Sequence, residues 1–282
     1  MKRFKVWVLA AFVVSNMVWA SCQQTPQEEP PPPPENYSLA VGEPTEAYLN
    51  GITTHTRRLV SQGKQPIIIF DLDGTLFRNG TRTKRIWLDY ARANQASYPD
   101  LVWKLEKLDP LTLPYRVKTS LPGLGITDEA QTAGLMQAWV KGFFSNEYQP
   151  YDVPLQGSVE YVNNLYELGG LIVYLTGRDA PRMLQGGVKS LQDSGFPVGV
   201  HRTELMFKPD KAVEDSLFKV NVFDYIESLG EVVGCFENEP GNINSMHDRF
   251  PRAQSVFVDT NHRPEAPPVS ATIPAIESFR LP

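Results

Sequence analysis

Asp71 and Asp73 carry the most informative chemistry in this sequence of 282 residues. They follow an apolar run, 67–70, which is typical of a fully buried strand because it does not alternate with polar residues. Residues two apart in an extended chain point to the same side, so the two carboxylates would share one small volume. Carboxylates that close repel each other unless a cation lies between them. The pair therefore predicts a site for a hard, oxygen-liganded cation, most naturally Mg²⁺.

A β-hairpin closed by an Asp-Gly turn is the alternative interpretation of this segment. That hairpin requires an alternating second strand directly after the turn, and residues 77–82 do not supply one. Ligands in an open α/β sheet bind beyond the carboxyl ends of the strands, which is where both aspartates fall. The sequence therefore favours a binding or catalytic site over a turn.

A second polar group follows another apolar run, 171–175. Thr176, Gly177 and Arg178 come directly after this run. A hydroxyl at a strand end, followed by glycine, can donate to a phosphate oxygen beside exposed backbone N–H groups. Arg178 either contacts a substrate or only pairs with a neighbouring carboxylate, that of Asp179 or Glu160.

These segments resemble the ordered motifs of the haloacid dehalogenase-like hydrolase superfamily, whose first motif is an apolar strand followed by Asp-x-Asp-Gly-Thr. Residues 71–75 match that pattern. The resemblance implies that Asp71 is the nucleophile that takes up a phosphoryl group as an aspartyl phosphate. It implies that Asp73 protonates the leaving oxygen and later activates water. Members that cleave carbon–halogen bonds lack the second aspartate, so Asp73 favours phosphoryl transfer.

The second motif of the superfamily is a Thr or Ser at the end of another apolar strand, which Thr176 matches. The resemblance implies that Thr176 belongs to the catalytic set and that Gly177 and Arg178 contribute to substrate binding. It also implies one lysine near the start of the next helix, which balances the carboxylates and the phosphate.

Two lysines fit this third motif. Lys208 follows a strand-like run and precedes Pro209, as in members that carry a Lys-Pro pair. Lys219 lies ahead of the last motif, in the first turns of a helix that Asp215 could cap. We favour Lys219, although the sequence keeps both open; the other lysine is then a surface residue.

The fourth motif usually places an aspartate after a further strand, and this chain has Glu237 there. Glutamate remains a hard oxygen donor, so the resemblance implies that Asp71, Asp73 and Glu237 bind Mg²⁺. Glu239 is the alternative metal ligand, directly or through water. Asn242 stands where the family places another acid.

The positions of the motifs predict an α/β fold with a three-layer parallel sheet. Residues 41–80 and 155–282 would form this core. Residues 81–154 are too long for a simple crossover and show helical periodicity, with the third helix opening at 127–130. An insert at this place resembles the helical cap of the superfamily, which closes over the phosphate and selects the leaving group.

The N-terminus predicts export. Residues 1–21 combine a basic start with an apolar run too short for a membrane span, which is typical of a signal peptide. The residues before Cys22 resemble the bacterial lipoprotein box, in which that cysteine is lipidated. Residues 22–40 would be a proline-rich tether that holds the domain clear of a membrane. Cleavage before Ser21, which would release a soluble periplasmic or secreted protein, is the alternative.

Composition agrees with an exported enzyme that acts on small molecules. Of 27 basic and 32 acidic residues, the signal peptide contains three basic residues and no acid, which leaves a formal charge of −8. This charge argues against a nucleic-acid-binding surface, which would be basic, although small nucleotides stay possible as substrates. Cys22 and Cys235 are the only cysteines, so no disulfide framework is expected.

The sequence thus predicts a lipid-anchored, Mg²⁺-dependent phosphatase acting on a small phosphorylated metabolite. Another phosphoryl-transfer activity of the same superfamily is the nearest alternative. A binding or structural envelope lipoprotein on a degenerate hydrolase fold is the alternative from a different class. The intact Asp71, Asp73 and Thr176 argue against that last alternative.

Overall fold

The computed structural model describes residues 38–280. The predicted signal peptide, the lipidation site Cys22 and all but the last three residues of the predicted tether lie outside this range. Within the described range, every helix is too short or too polar to cross a lipid bilayer.

In residues 38–280, eight strands form two sheets. The strands are β1 Pro66–Phe70, β2 Phe77–Arg78, β3 Val153–Pro154, β4 Leu171–Asp179, β5 Thr203–Lys208, β6 Glu231–Glu237, β7 Gln254–Val258 and β8 Ala275–Ile276. Six of them make a parallel sheet in the order β5-β4-β1-β6-β7-β8, while β2 and β3 pair as a separate antiparallel ribbon. The predicted parallel α/β core is therefore confirmed.

Nine α-helices accompany the strands in the described residues. They are α1 Thr45–Ser61, α2 Gly80–Ala93, α3 Leu101–Glu106, α4 Glu129–Phe143, α5 Ser158–Glu167, α6 Ala180–Ser194, α7 Asp215–Asn221, α8 Phe223–Ser228 and α9 Pro240–Arg249. The central strand β1 is buried on both faces, as its unbroken apolar run predicts.

Side chains that alternate along β1 divide the core into two hydrophobic layers. Ile68 and Phe70 pack with residues of α1 and α5 on one face of the sheet. Ile67 and Ile69 pack with residues of α7, α8 and α9 on the other face. The sheet is thus the middle layer of three.

The segment between β2 and β3 is helical, as the periodicity predicts. It contains α2, α3, α4 and short 3-10 turns, and it has its own hydrophobic cluster around Trp87, Leu105 and Leu135. Helix α4 begins at Glu129 because the Asp128 carboxylate accepts from the backbone N–H of Gln131 at 2.8 Å. The domain boundaries proposed at residues 80 and 155 stay predictions.

Candidate active site

The ends of three neighbouring strands bring the predicted motifs together. Strand β1 lies between β4 and β6, so Asp71 emerges between Thr176 of β4 and Glu237 of β6. The backbone N–H of Asp71 donates to the Phe236 carbonyl at 3.0 Å, which fixes the chain at this point. Gly74 then turns with φ +86°, and a Cβ there would collide with a neighbouring side chain.

Lys219 joins two of these strand ends through a single ammonium group. Its Nζ donates to Asp71 Oδ1 at 2.8 Å and to Glu237 Oε2 at 2.6 Å, and the lysine side chain is buried. Lys208 lies at the end of β5 and lines the same cavity, but Lys219 is the lysine that bridges the carboxylates. This contact supports the sequence-based preference for Lys219.

The helix that carries Lys219 begins differently from the prediction. The Glu214 carboxylate accepts from the backbone N–H of Leu217 at 2.9 Å, so Glu214 and not Asp215 caps α7. Asp215 turns instead toward the cavity, where a Cβ on Gly177 would collide with its carboxylate. Asp215 is therefore a member of the site that sequence reasoning missed.

Glu237 is fixed by donors on both carboxylate oxygens. Its Oε1 accepts from the backbone N–H groups of Asn238 and Glu239 at 3.1 and 3.0 Å, while Oε2 faces Lys219 and the Asn242 amide. Glu239 itself accepts from the backbone N–H of Arg263. Glu237 is thus the acid of this segment that reaches the Asp71–Lys219 pair.

The electrostatics of this cluster are unbalanced because two buried carboxylates face one ammonium. Burial and the neighbouring Glu237 raise the pKa of Asp71 to about 8, although Lys219 opposes the shift. Burial also raises the pKa of Glu237. Burial alone would lower the pKa of Lys219, but the two carboxylates outweigh it and raise that pKa. The cluster therefore carries one negative charge in excess when all three groups are ionised.

Asp73 belongs to a second buried cluster, in which two arginines bind it. Arg178 donates to both Asp73 oxygens, at 2.7 and 2.9 Å, and Arg82 also donates to Oδ1. Asp152 lies 2.9 Å from Arg82 and from Arg178, and Gln149 accepts from Arg178 at 2.6 Å. Burial alone would raise the pKa of Asp73, but the two guanidinium groups outweigh it and hold that pKa well below its usual range.

This second cluster changes the interpretation of Arg178. The sequence offered Asp179 as its partner, but Asp179 instead caps α6 and pairs with Arg182 at 2.9 Å. That pairing was therefore wrong. Arg178 instead binds Asp73, in the loop that follows β1.

Thr176 and Gly177 lie at the end of β4, and of the two only Gly177 lines the cavity. Thr176 is fully buried, and its Oγ1 accepts from the backbone N–H of Arg178 at 3.2 Å. Gly177 lines the cavity, which has a volume of about 370 Å³. The lining on the side of the helical insert is largely apolar: Leu113, Pro114, Tyr115, Val117, Trp139, Phe143 and Phe144.

A divalent cation fits one of the two clusters. The excess negative charge and the hard oxygens of Asp71 and Glu237 suit Mg²⁺, which often takes only one or two protein carboxylates and keeps several waters. Two guanidinium groups already balance the charge of Asp73, so a cation at its carboxylate would lie against two positive groups, whereas Asp71 and Glu237 share a single ammonium. Among the described residues, no three His, Cys, Asp or Glu side chains are arranged as a metal-binding group.

Comparison with known proteins finds similarity in structure only. No protein-family model matches the chain, and neither does any curated protein sequence. A haloacid dehalogenase-like family hydrolase from Streptococcus pneumoniae is similar, at 9% identity and a TM-score of 0.44, over 77% of this chain and 96% of that one. The CbbY protein from Rhodobacter sphaeroides in complex with phosphate has 12% identity and a TM-score of 0.44, over 77% and 95% of the two chains.

A dehalogenase is also similar, at 12% identity and a TM-score of 0.41, over 76% of this chain and 94% of that one. At such low identities and TM-scores these likenesses carry no argument about activity.

Proposed function

We propose that this protein is a Mg²⁺-dependent phosphomonoester hydrolase of the haloacid dehalogenase-like superfamily, with Asp71 as nucleophile. The observation that carries the proposal is the Lys219 ammonium, which binds both Asp71 and Glu237 where adjacent parallel strands end. This arrangement gives a carboxylate nucleophile, a fixed positive charge and a second acid in one buried volume. Its substrate would be a small phosphorylated metabolite.

The covalent step can be derived from the contacts of Asp71. Its Oδ1 accepts from Lys219, so Oδ2 is the oxygen available to attack phosphorus. A new bond forms between Oδ2 and phosphorus, the ester P–O bond breaks, and the leaving oxygen takes up a proton from Asp73 in its protonated form. Water then attacks the aspartyl phosphate, which releases inorganic phosphate and restores Asp71.

Charge on the phosphoryl group would be balanced by Lys219 and the Gly177 backbone N–H, since both residues line the cavity beside Asp71. The Thr176 hydroxyl is buried directly before Gly177 and would reach the phosphoryl group only after a small local shift. Mg²⁺ held by Asp71 and Glu237 would offset the remaining negative charge of the carboxylates and the phosphate. Asp73 is held in its ionised form, which suits the step in which a base activates water. Its role as an acid requires that it first leave the two guanidinium groups.

Turnover of p-nitrophenyl phosphate with and without Mg²⁺ tests the proposal. We expect inorganic phosphate release that chelator abolishes and Mg²⁺ restores. Denaturing the protein during turnover should trap a phosphate on the peptide that contains Asp71, and Asp71→Asn should remove both signals. Asp193→Asn, an exposed acid paired with Lys189, is the matched control and should retain both. Phosphate release with no trapped peptide in the wild type would contradict the covalent mechanism.

The alternative of a phosphotransferase is tested in the same reaction. Adding a small alcohol as acceptor would yield more of the new phosphate ester than of inorganic phosphate if transfer were the main activity. A hydrolase transfers the phosphoryl group to water, so we expect more inorganic phosphate than new ester.

Export and lipidation at Cys22 complete the proposal. The support is the N-terminal sequence alone: a basic start, a short apolar run, and a cysteine followed by a proline-rich stretch. The protein would then be anchored by lipid on the periplasmic or outer side of a membrane.

A further inference from the structure

The candidate active-site cavity has two ends of different chemistry. The strand ends, their loops and helix α7 contribute every charged side chain that lines it. The helical insert contributes four aromatic rings, those of Tyr115, Trp139, Phe143 and Phe144. A bound phosphate ester would therefore have its phosphoryl group among charges and its leaving group among rings.

The insert contributes three polar side-chain groups to this lining, those of Thr83, Tyr115 and Trp139, and each has a partner within the protein; the Tyr115 hydroxyl bonds to Arg263. The Thr83 hydroxyl accepts from the Trp139 indole N–H at 3.0 Å. The Asn79 amide, just before the insert, donates to Asp73 at 3.4 Å. A sugar or polyol at this end would leave several hydroxyl groups without partners, which is costly once water is excluded.

The aromatic rings form one connected wall. Trp139 and Phe143 have centroids 4.7 Å apart, and Phe143 and Phe144 meet edge to face at 5.2 Å. None of the three is fully buried, so ring surface remains available to the cavity. Aromatic faces and edges of this kind bind a further planar ring by offset stacking or edge-to-face contact.

The wall begins close to the Asp73 carboxylate. The Arg82 guanidinium stacks on Phe143, 4.0 Å from the ring centroid, and the same guanidinium binds Asp73. One guanidinium therefore separates the Asp73 carboxylate from the first ring. A cavity of about 370 Å³ is also near the lower end for small-molecule sites. Little room is left for a spacer, such as a ribose, between the phosphate and an aromatic group.

We infer, on the basis of the proposed phosphatase activity, that the substrate is the monophosphate ester of a small aromatic alcohol. The ring is attached to the ester oxygen directly or through one carbon. Hydrolysis of such an ester breaks its P–O bond and yields the aromatic alcohol and inorganic phosphate.

Three phosphate esters with matched leaving groups test this inference. Benzyl phosphate, cyclohexylmethyl phosphate and glucose 6-phosphate each carry a six-membered ring one carbon from the ester oxygen, so leaving-group reactivity is similar. We expect kcat/KM for benzyl phosphate to be higher than kcat/KM for glucose 6-phosphate by about tenfold or more. We expect it to be higher than kcat/KM for cyclohexylmethyl phosphate by about threefold. Adenosine 5′-monophosphate, in which a ribose separates the phosphate from the aromatic base, should have a lower kcat/KM than benzyl phosphate.

Binding gives a readout that does not depend on turnover. Calorimetry on the full-length Asp71→Asn variant should show that benzylphosphonate, which cannot be hydrolysed, binds more tightly than glucose 6-phosphate. Equal or tighter binding of glucose 6-phosphate would overturn the substrate class and leave the phosphatase proposal standing. Loss of all ester turnover with intact benzylphosphonate binding would instead overturn the phosphatase proposal alone.

Replacing one ring localises the effect. Phe144→Leu keeps an apolar side chain but removes the ring, so KM for benzyl phosphate should rise about threefold to tenfold while kcat/KM for glucose 6-phosphate changes less than about twofold. Trp103→Leu removes an exposed ring of the same insert that does not line the cavity, and it should change neither value. Equal effects of the two variants, or equal effects of Phe144→Leu on both esters, would refute the aromatic contact.

Discussion

Removing the Lys219 ammonium is the sharpest perturbation of this site. Lys219→Met keeps most of the side-chain volume but leaves Asp71 and Glu237 buried without the cation that both contact. Breaking a buried ion pair by removing one partner typically costs about 3–5 kcal/mol of folding free energy. Loss of one fixed charge at the reacting oxygens should also lower kcat by about a hundredfold to a thousandfold.

The loss of stability should depend on pH with a defined sign. Burial and Glu237 raise the pKa of Asp71 to about 8, so the folded protein holds this proton at pH values where the unfolded chain has lost it. Stability from such a group is fully present below its unfolded pKa and is lost as pH rises through the folded pKa. Lys219 opposes the shift in the wild type, so the defect of Lys219→Met should be larger at about pH 8 than at about pH 5.

Denaturant unfolding of the variants at both pH values measures this effect. Lys208→Met is the matched control, because Lys208 lines the cavity without bridging the two carboxylates, and its loss of stability should be small. Lys219→Met combined with Glu237→Gln should recover part of the stability, since one buried charge is removed, but not the turnover. A larger defect at low pH, or a stronger kinetic effect of Lys208→Met, would refute the role given to Lys219.

Three further predictions concern the remaining groups. Asp71→Asn should lower p-nitrophenyl phosphate turnover by orders of magnitude, and near-normal turnover would exclude the covalent mechanism. Arg82→Met should lower the free energy of unfolding by about 3 kcal/mol because Asp152 and Asp73 lose a buried partner. Arg85→Met, on the exposed face of the same helix, should lower it by less than about 1 kcal/mol, and denaturant unfolding curves measure both values. Cys22→Ser should move activity from the membrane fraction to the soluble fraction, and an unmodified wild-type N-terminus at Ser21 would end the lipoprotein interpretation.

The sequence predicted what depends on strands and their ends. The unbroken apolar run 67–70 identified a central strand, and side chains that follow parallel strands must meet at one edge of the sheet. Lys219 was preferred over Lys208 from its spacing to the last motif, and the contact with Asp71 agrees. These features follow from local pattern and sheet geometry, so they need no knowledge of how distant segments pack.

The sequence did not predict what depends on packing of the insert against the core. Arg82 lies in an amphipathic helix, where an arginine is usually exposed, and Asp152 lies in a connection. Both are buried only because residues far apart in the chain supply their partners. The cap of α7 was missed for a different reason: Glu214 and Asp215 are adjacent acids, and only the backbone angles decide which one turns back to the helix.

The arginine cluster also explains how the insert and the catalytic loop depend on each other. Arg82 lies in the first turn of α2 and Asp152 directly precedes β3, so the cluster draws a charge from each end of the insert. Arg82 binds Asp73, and Asp152 binds Arg178, which is itself a partner of Asp73. An unpaired charge in this buried volume would be costly. A shift of the insert away from the core would therefore separate Arg82 from Asp73 and change the electrostatic environment of that carboxylate. The position of the insert and the chemistry available to Asp73 are in this way coupled through named contacts.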